Sequence, residues 1–363
     1  MATYVTRPYL PPLNEFIPYL EEIWSSRTLT NGGPMHQRLE RALEEYLDVE
    51  HVSLFVNATI ALVTALQALK VTGEVITTPF SFVATAHALL WNGLKPVFVD
   101  IQPDSLNIDP ERIEAAITPA TSAILAVHVY GRPADTAKIQ AIAERHGLRI
   151  IYDAAHAFGP TDLYRNLLAQ GDMSVLSFHA TKVFNTFEGG AIITRSPSMK
   201  THVDRLKNFG FVDETTIVEA GINGKMNEFC AALGLAQLAH MPEVLRRRAA
   251  AFDNYLQSLQ SVDGLTLPTR IGTNSSYFPI LVTPAYHRSR DQLYQRLRSH
   301  DIFARRYFHP LISEHPMYRM FASSQPDNLP VATRIAGQVL CLPIHPELAD
   351  SEIARIASII RSK

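Results

Sequence analysis

The chain has 363 residues, 47% hydrophobic and 19% charged, with 33 Lys and Arg against 35 Asp and Glu for a formal net charge of −2. That excludes a disordered chain and a disulfide-stapled miniprotein, and at roughly 150 residues per domain it leaves room for two domains with sizeable cores. A near-neutral balance supplies no basic field for counterion release, so nucleic acid is not an expected partner.

Cys230 and Cys341 are the only cysteines. They are too few for a disulfide framework, a four-thiolate zinc site or a four-cysteine iron–sulfur cluster, so no metal is expected and a reducing compartment is. The first residues lack an apolar signal core, and no stretch approaches the roughly 18 apolar residues a spanning helix needs. A cytoplasmic chain with no membrane partner is the expectation.

In chain order, the breaker Asn31-Gly32-Gly33-Pro34 precedes residues 35–47, where Leu39, Ala42, Leu43, Tyr46 and Leu47 form one apolar stripe of an amphipathic helix. Seven short β-rich runs follow, at 52–56, 74–78, 96–101, 123–130, 149–153, 173–179 and 190–194. Several are continuously apolar, as strands of a parallel sheet are when helices cover both faces. The segments between them, such as 58–70 and 136–146, carry helical spacing and good helix formers, which predicts an α/β domain. A long helical stretch over 231–251, bent or split near Pro242, leads to strand-like runs at 275–282, 302–308 and 339–342. These predict a smaller α+β domain, giving a division into 1–245 and 246–363.

Two residues carry the strongest chemical signal. Asp153 ends one predicted strand, and Lys182 lies just past the next. Ligands of parallel sheets collect beyond the carboxyl ends of strands, so both side chains can enter one cleft. A carboxylate and an amine there suit pyridoxal 5'-phosphate, whose aldehyde joins a lysine and whose ring nitrogen needs an acidic partner, whereas the plainer alternative is an ion pair and a surface lysine. Ala58 and Thr59 open a helix directly after the first strand, where free backbone N–H groups favour a phosphate, or simply a helix cap. Phe80 or Phe82, after the second strand, offers a face for a flat ring, or a core residue.

These residues sit in a series of motifs: Asn-Gly-Gly-Pro at 31–34, Asn-Ala-Thr-Ile-Ala-Leu at 57–62, Thr-Pro-Phe-Ser-Phe-Val-Ala-Thr at 78–85 and Pro-Val-Phe-Val-Asp-Ile at 96–101. The series continues with His-Val-Tyr-Gly at 128–131, Asp-Ala-Ala-His-Ala-Phe-Gly at 153–159, Ser-Phe-His-Ala-Thr-Lys at 177–182, Glu-Gly-Gly-Ala at 188–191 and Gly-Ile-Asn-Gly-Lys-Met-Asn-Glu at 221–228. In this order the chain resembles the DegT/DnrJ/EryC1/StrS sugar aminotransferases. The resemblance implies the aspartate-aminotransferase fold type I, with a seven-stranded, mostly parallel sheet and a smaller C-terminal α+β domain.

Carried over position by position, the resemblance makes Lys182 the Schiff-base lysine and proton shuttle and Asp153 the partner of the ring nitrogen. Ala58, Thr59 and Ser177 would hold the phosphate, Phe82 would stack on the ring, and His156 would lie near the ring hydroxyl. Asn223 would reach the phosphate of the neighbouring subunit, implying a homodimer with shared sites. The run 305–311 resembles a substrate loop, putting Arg305, Tyr307 and His309 near the nucleotide-sugar. The family's usual glycine in the phosphate turn is Ala58 here, which a backbone contact tolerates. Where some relatives that remove a hydroxyl carry histidine, this chain has Lys182, which favours transamination. The implied reaction moves an amino group from L-glutamate to a nucleotide-linked keto-sugar. Residues 177–190 look more like the C4 than the C3 enzymes, implying dTDP-4-dehydro-6-deoxy-D-glucose as acceptor, for O-antigen or another glycan. The alternatives are a 3-keto-sugar 3-aminotransferase and a non-catalytic cofactor-binding regulator. A cysteine desulfurase is disfavoured because neither cysteine reads as an exposed nucleophile.

Overall fold

The computed structural model describes residues 2–159, 167–269 and 274–362. Strand β1 (Thr3–Tyr4) and helices α1 (Leu13–Ser26) and α2 (Pro34–Leu47) lead into the alternating unit. This comprises β2 (His51–Phe55), α3 (Ala58–Ala68), β3 (Glu74–Thr77), α4 (Ala84–Trp91), β4 (Lys95–Phe98), α5 (Pro110–Ala116), β5 (Thr121–Val127), α6 (Thr136–His146), β6 (Arg149–Asp153), β7 (Met173–Ser177), β8 (Gly190–Thr194) and α7 (Pro197–Leu206). Helices α8 (Glu228–Leu238) and α9 (Met241–Leu259) are followed by β9 (Leu265–Thr266), β10 (Phe278–Val282), α10 (Arg290–Ser299), β11 (Ile302–Phe303), α11 (Pro330–Gln338), β12 (Val339–Leu342) and α12 (Asp350–Arg361).

The seven expected strands form one sheet in the order β2-β8-β7-β6-β5-β3-β4. Strands β3 to β7 run parallel, and β8 is antiparallel to both β7 and β2. The register decides the site. Ser177 pairs with Gly190 and Gly190 with Phe55, so the end of β7 and the end of β2 lie in one row across β8. Neighbouring strands are about 4.8 Å apart, so the turn after β2 lies within roughly 10 Å of Ser177. Gly190 makes that closeness possible. A Cβ there would sit 2.6 Å from the Ala58 nitrogen, so only glycine lets the first turn of α3 lie against β8.

Met35, Leu39, Leu43 and Leu47 recur every four residues and bury one face of α2. No side chain of its own caps α2. The buried Glu228 carboxylate instead accepts from the backbone of Met35 at 2.7 Å and His36 at 3.1 Å, stapling α8 to the positive end of α2. Asp100 does the same for α11 through the backbone of Val331 at 2.9 Å and Ala332 at 2.8 Å.

The predicted stretch 231–251 is split, as Pro242 required: α8 ends at Leu238 and α9 restarts with the proline in its first turn, where a missing N–H costs nothing. Helix α9 then runs unbroken through position 245. Its Val244 packs in the core beneath the large sheet, while Ala251, Phe252, Tyr255 and Leu259 pack in a second core with β10, α10 and α12. Strands β9, β10 and β12 form a three-stranded antiparallel sheet in the order β12-β10-β9.

The expected strand at 302–308 is not formed as such. Only β11 is extended, and it pairs in parallel with β1 rather than joining the three-stranded sheet. Beyond it Arg305 makes a single bridge to Cys341, after which the Tyr130 hydroxyl donates to the Tyr307 carbonyl. Past Arg305 no further ladder pair forms among the described residues, and the Tyr307 carbonyl is met by side chains instead.

Candidate active site

Asp153, Ser177 and the turn after β2 stand at one end of the large sheet. Asp153, the last residue of β6, is buried. Thr85, in the first turn of α4, donates its hydroxyl to Asp153 Oδ2 at 2.7 Å, and the Ala155 backbone donates to Oδ1 at 3.1 Å. Because the Thr85 proton goes to the carboxylate, Ser81, 2.8 Å from Thr85 Oγ1, is the donor in the next link. Burial raises the Asp153 carboxyl above its usual range, while Thr85, Ala155 and the Lys182 charge pull it back. No cation lies at ion-pair distance from it among the described residues.

Lys182 follows β7 in a tight turn closed by its backbone N–H on the His179 carbonyl at 2.9 Å. Lys182 lines a small cavity with Ala155, His156, Asn274 and Tyr277. Burial lowers the ammonium to about 8, against the opposing pull of Asp153. At neutral pH a useful fraction is therefore free amine, which an exposed lysine near its ordinary value would not supply.

His156 is buried beside it. The Tyr130 backbone donates to Nδ1 at 3.3 Å, which leaves the proton of the neutral ring on Nε2. Burial, reinforced by the Lys182 charge, holds the imidazole well below its usual range and so uncharged. Phe308 stacks on the ring at 5.9 Å and 8°, and Tyr277 meets it edge-on at 4.9 Å.

Asn57, not Ala58 or Thr59, caps α3, its side chain accepting from the Ile60 backbone at 2.9 Å. The amides of Ala58 and Thr59 have no acceptor among the described residues, and Thr59 is exposed. They form an anion-receptive turn facing Ser177 across the register described above. The two phenylalanines separate cleanly: Phe80 is in the core against Tyr130 and Phe308, whereas Phe82 is 58% exposed.

Asn223 is exposed on a ribbon in which it bridges Asn208. The following Gly224 carbonyl accepts from Val56 N at 2.8 Å, so the ribbon passes beside the end of β2. Phe209, Val212, Ile217, Val218 and Ile222 on this ribbon are exposed.

Arg305 and His309 are exposed and Tyr307 is half-buried. Phe308, between them, ties this loop to His156. Arg306 is occupied, 2.9 Å from Asp291 and over the Tyr294 ring at 4.6 Å. Cys341 is fully buried, with its thiol pushed up to about 12, and burial also raises Cys230. Neither is a ready nucleophile. No helix is long and apolar enough to cross a membrane among the described residues.

The sequence reading passed over Thr85, Ser81, Asn274 and Ser276. The hydroxyls at 81 and 85 are four residues apart in Thr-Pro-Phe-Ser-Phe-Val-Ala-Thr, a signal that could have found them. Asn274 and Ser276 look like ordinary loop residues before β10.

The sequence profile described as the DegT/DnrJ/EryC1/StrS aminotransferase family matches residues 13–361. A dTDP-4-amino-4,6-dideoxy-D-glucose transaminase of Shigella dysenteriae is 56% identical over 361 residues, covering 99% of this chain and 98% of that protein. A protein of the same name from Escherichia coli is 52% identical over 365 residues, with the same coverage. Among solved structures, DesI in the presence of its TDP-sugar product superposes with a TM-score of 0.94 at 36% identity, over 99% of this chain and 92% of that one. The Bacillus subtilis NtdA structure, with bound cofactor PMP, gives 0.87 at 29% identity over 96% and 82%. The chain belongs to the DegT/DnrJ/EryC1/StrS aminotransferase family.

Proposed function

We propose that this protein is a pyridoxal-phosphate-dependent aminotransferase that passes the amino group of L-glutamate to dTDP-4-dehydro-6-deoxy-D-glucose, giving dTDP-4-amino-4,6-dideoxy-D-glucose. The observation that carries the chemistry is the placement of a half-buried lysine, Lys182, and a buried carboxylate, Asp153, past the ends of adjoining strands. The choice of sugar rests on the names of the 52% and 56% identical relatives.

The residues fit the cofactor. Asp153 is a buried carboxylate held by donors on both oxygens with no cation at ion-pair distance among the described residues, which suits a protonated ring nitrogen. The Ala58 and Thr59 amides with Ser177 suit a phosphate, Lys182 an aldehyde, and the exposed Phe82 face a flat ring. His156 offers Nε2–H to the ring oxygen. When bound, pyridoxal phosphate supplies an aldehyde that joins amines and a ring that accepts the electron pair left when a C–H bond breaks. Lys182 Nζ takes the proton from the donor's α-carbon and later returns one to the acceptor, a task that its lowered basicity suits. Asp153 keeps its charge against the ring while Thr85 and Ala155 hold its orientation. Donor and acceptor use the site in turn, so the kinetics are ping-pong. Arg305, Tyr307 and His309 would meet the nucleotide-sugar from the loop carrying Phe308.

The protein works in the cytoplasm, feeding O-antigen or another glycan, with domains 1–245 and 246–363 sharing α9. Incubation with glutamate and either the 4-keto or the 3-keto sugar nucleotide, followed by identification of the amino sugar, tests the substrate. Turnover of the 3-keto sugar alone would overturn the C4 assignment.

The exposed apolar ribbon at 209–222 supports a homodimer in which Asn223 serves the partner's phosphate site. Mixing Lys182→Ala and Asn223→Ala chains then restores one complete site per heterodimer. If Asn223 serves its own chain, the mixture shows only the residual rate of Asn223→Ala.

A further inference from the structure

The segment before β10 reaches across the molecule to the pocket. The Asn274 Oδ1 accepts from the Ser276 backbone at 3.1 Å, which fixes the amide so that Nδ2 donates to the carbonyls of His156 at 2.7 Å and Phe158 at 2.9 Å. Ser276 donates its hydroxyl to the Tyr130 carbonyl at 3.0 Å, and the Tyr130 backbone in turn donates to His156 Nδ1. Both anchor points of His156, its backbone and its ring, are therefore referred to the same three residues. Arg248, itself buried, donates to the Ser275 carbonyl at 3.2 Å and the Ile344 carbonyl at 3.3 Å, tying that segment to α9 and the end of β12. Space is tight. A Cβ on Gly131, at a φ of +78°, would lie 2.7 Å from the His156 carbonyl and 2.8 Å from Asn274 Oδ1.

We infer that Asn274 is a positioning residue which, with Ser276, sets where His156 presents its Nε2–H to the cofactor ring. This rests on the proposed role of His156. The two donor bonds from one nitrogen hold the loop after β6 at a fixed height, and the Ser276–Tyr130 link stops the ring from rotating. The titratable side chains set against the ring among the described residues are Lys182 and Tyr277, so a displaced imidazole alters the balance of charge at the ring oxygen.

The test is the pH midpoint of the visible absorbance band of the resting holoenzyme, with cofactor affinity measured by titrating the apoenzyme. His156→Ala should raise the midpoint by removing the donor. Asn274→Ala should raise it too, by about half a pH unit or more, and weaken cofactor affinity by about tenfold, the loss expected for roughly one well-placed hydrogen bond. Ser276→Ala should give a smaller shift of the same sign, and carries the test by itself if Asn274→Ala does not fold. A merely structural role would lower the melting temperature and leave the midpoint where it is. A shifted His156→Ala with unshifted Asn274→Ala and Ser276→Ala overturns this inference alone. An unshifted His156→Ala overturns the role of His156 and the inference together.

Discussion

Lys182→Ala should lower turnover by roughly four orders of magnitude or more while the chain keeps its fold. Two functions vanish at once, since the amine is both the group that joins the cofactor and the base that moves the proton, and proton transfer alone is worth about 10²- to 10⁴-fold. Little packing is lost. The Nζ has no hydrogen-bond partner among the described residues, and removing it relieves the partial desolvation that lowers the ammonium. The same geometry sets a pH dependence. Capture of the cofactor by the apoenzyme needs the neutral amine, so its rate should climb through about pH 8 and level off above, rather than continuing to rise toward the ordinary lysine range. Borohydride trapping with peptide mapping and circular dichroism checks both points. Wild-type turnover in Lys182→Ala, or reduction onto another lysine, would remove the basis of the mechanism.

The second large effect belongs to Asp153→Asn. The amide preserves shape but keeps one acceptor oxygen: Oδ1 can still take the Ala155 N–H, Nδ2 then faces the Thr85 hydroxyl, which must turn to accept, and no charge remains to hold a proton on the ring nitrogen. Loss of one member of a buried charge pair costs about 3–4 kcal/mol, so turnover should fall about 10²- to 10³-fold. In the free protein the sign reverses. Burial raises the Asp153 carboxyl, so its charge is a burden without a cation beside it, and Asp153→Asn should leave the apoenzyme as stable as the parent or more so. A melting temperature that falls together with turnover would mean that the carboxylate holds the fold rather than the cofactor. Thr85→Val should reproduce part of the kinetic loss by freeing one carboxylate oxygen.

Much of this was legible in the chain itself, for a physical reason. Continuous apolar runs such as Ala-Ile-Leu-Ala-Val in β5 can be solvated by neither face of a strand, so they announce a sheet covered on both sides. Strand ends in such a sheet are where charge can be exposed, which makes Asp153 and Lys182 conspicuous. The remainder was hidden because it depends on contacts between distant segments. Asn274 meets His156 across 118 positions and Ser276 meets Tyr130 across 146, and nothing local distinguishes either from a loop residue. Residues 304–308 look extended in sequence, but past Arg305 the Tyr307 carbonyl is met by side chains, the Tyr130 hydroxyl and the Cys341 thiol, and not by a neighbouring strand. The separation of Phe80 from Phe82 likewise needed the core to be in place.

The reversed direction of β8 has a mechanical corollary. Ser177, Lys182 and Gly190 fall on a single hairpin, so the spacing between the amine and the Ser177 hydroxyl is set by one short piece of chain, and only the Ala58–Thr59 side of the anion cradle is brought in from elsewhere, across β8. A proteolytic nick between Asn185 and Glu188 should therefore leave Ser177 and Lys182 tied to each other and loosen only the Ala58–Thr59 turn that rests on β8.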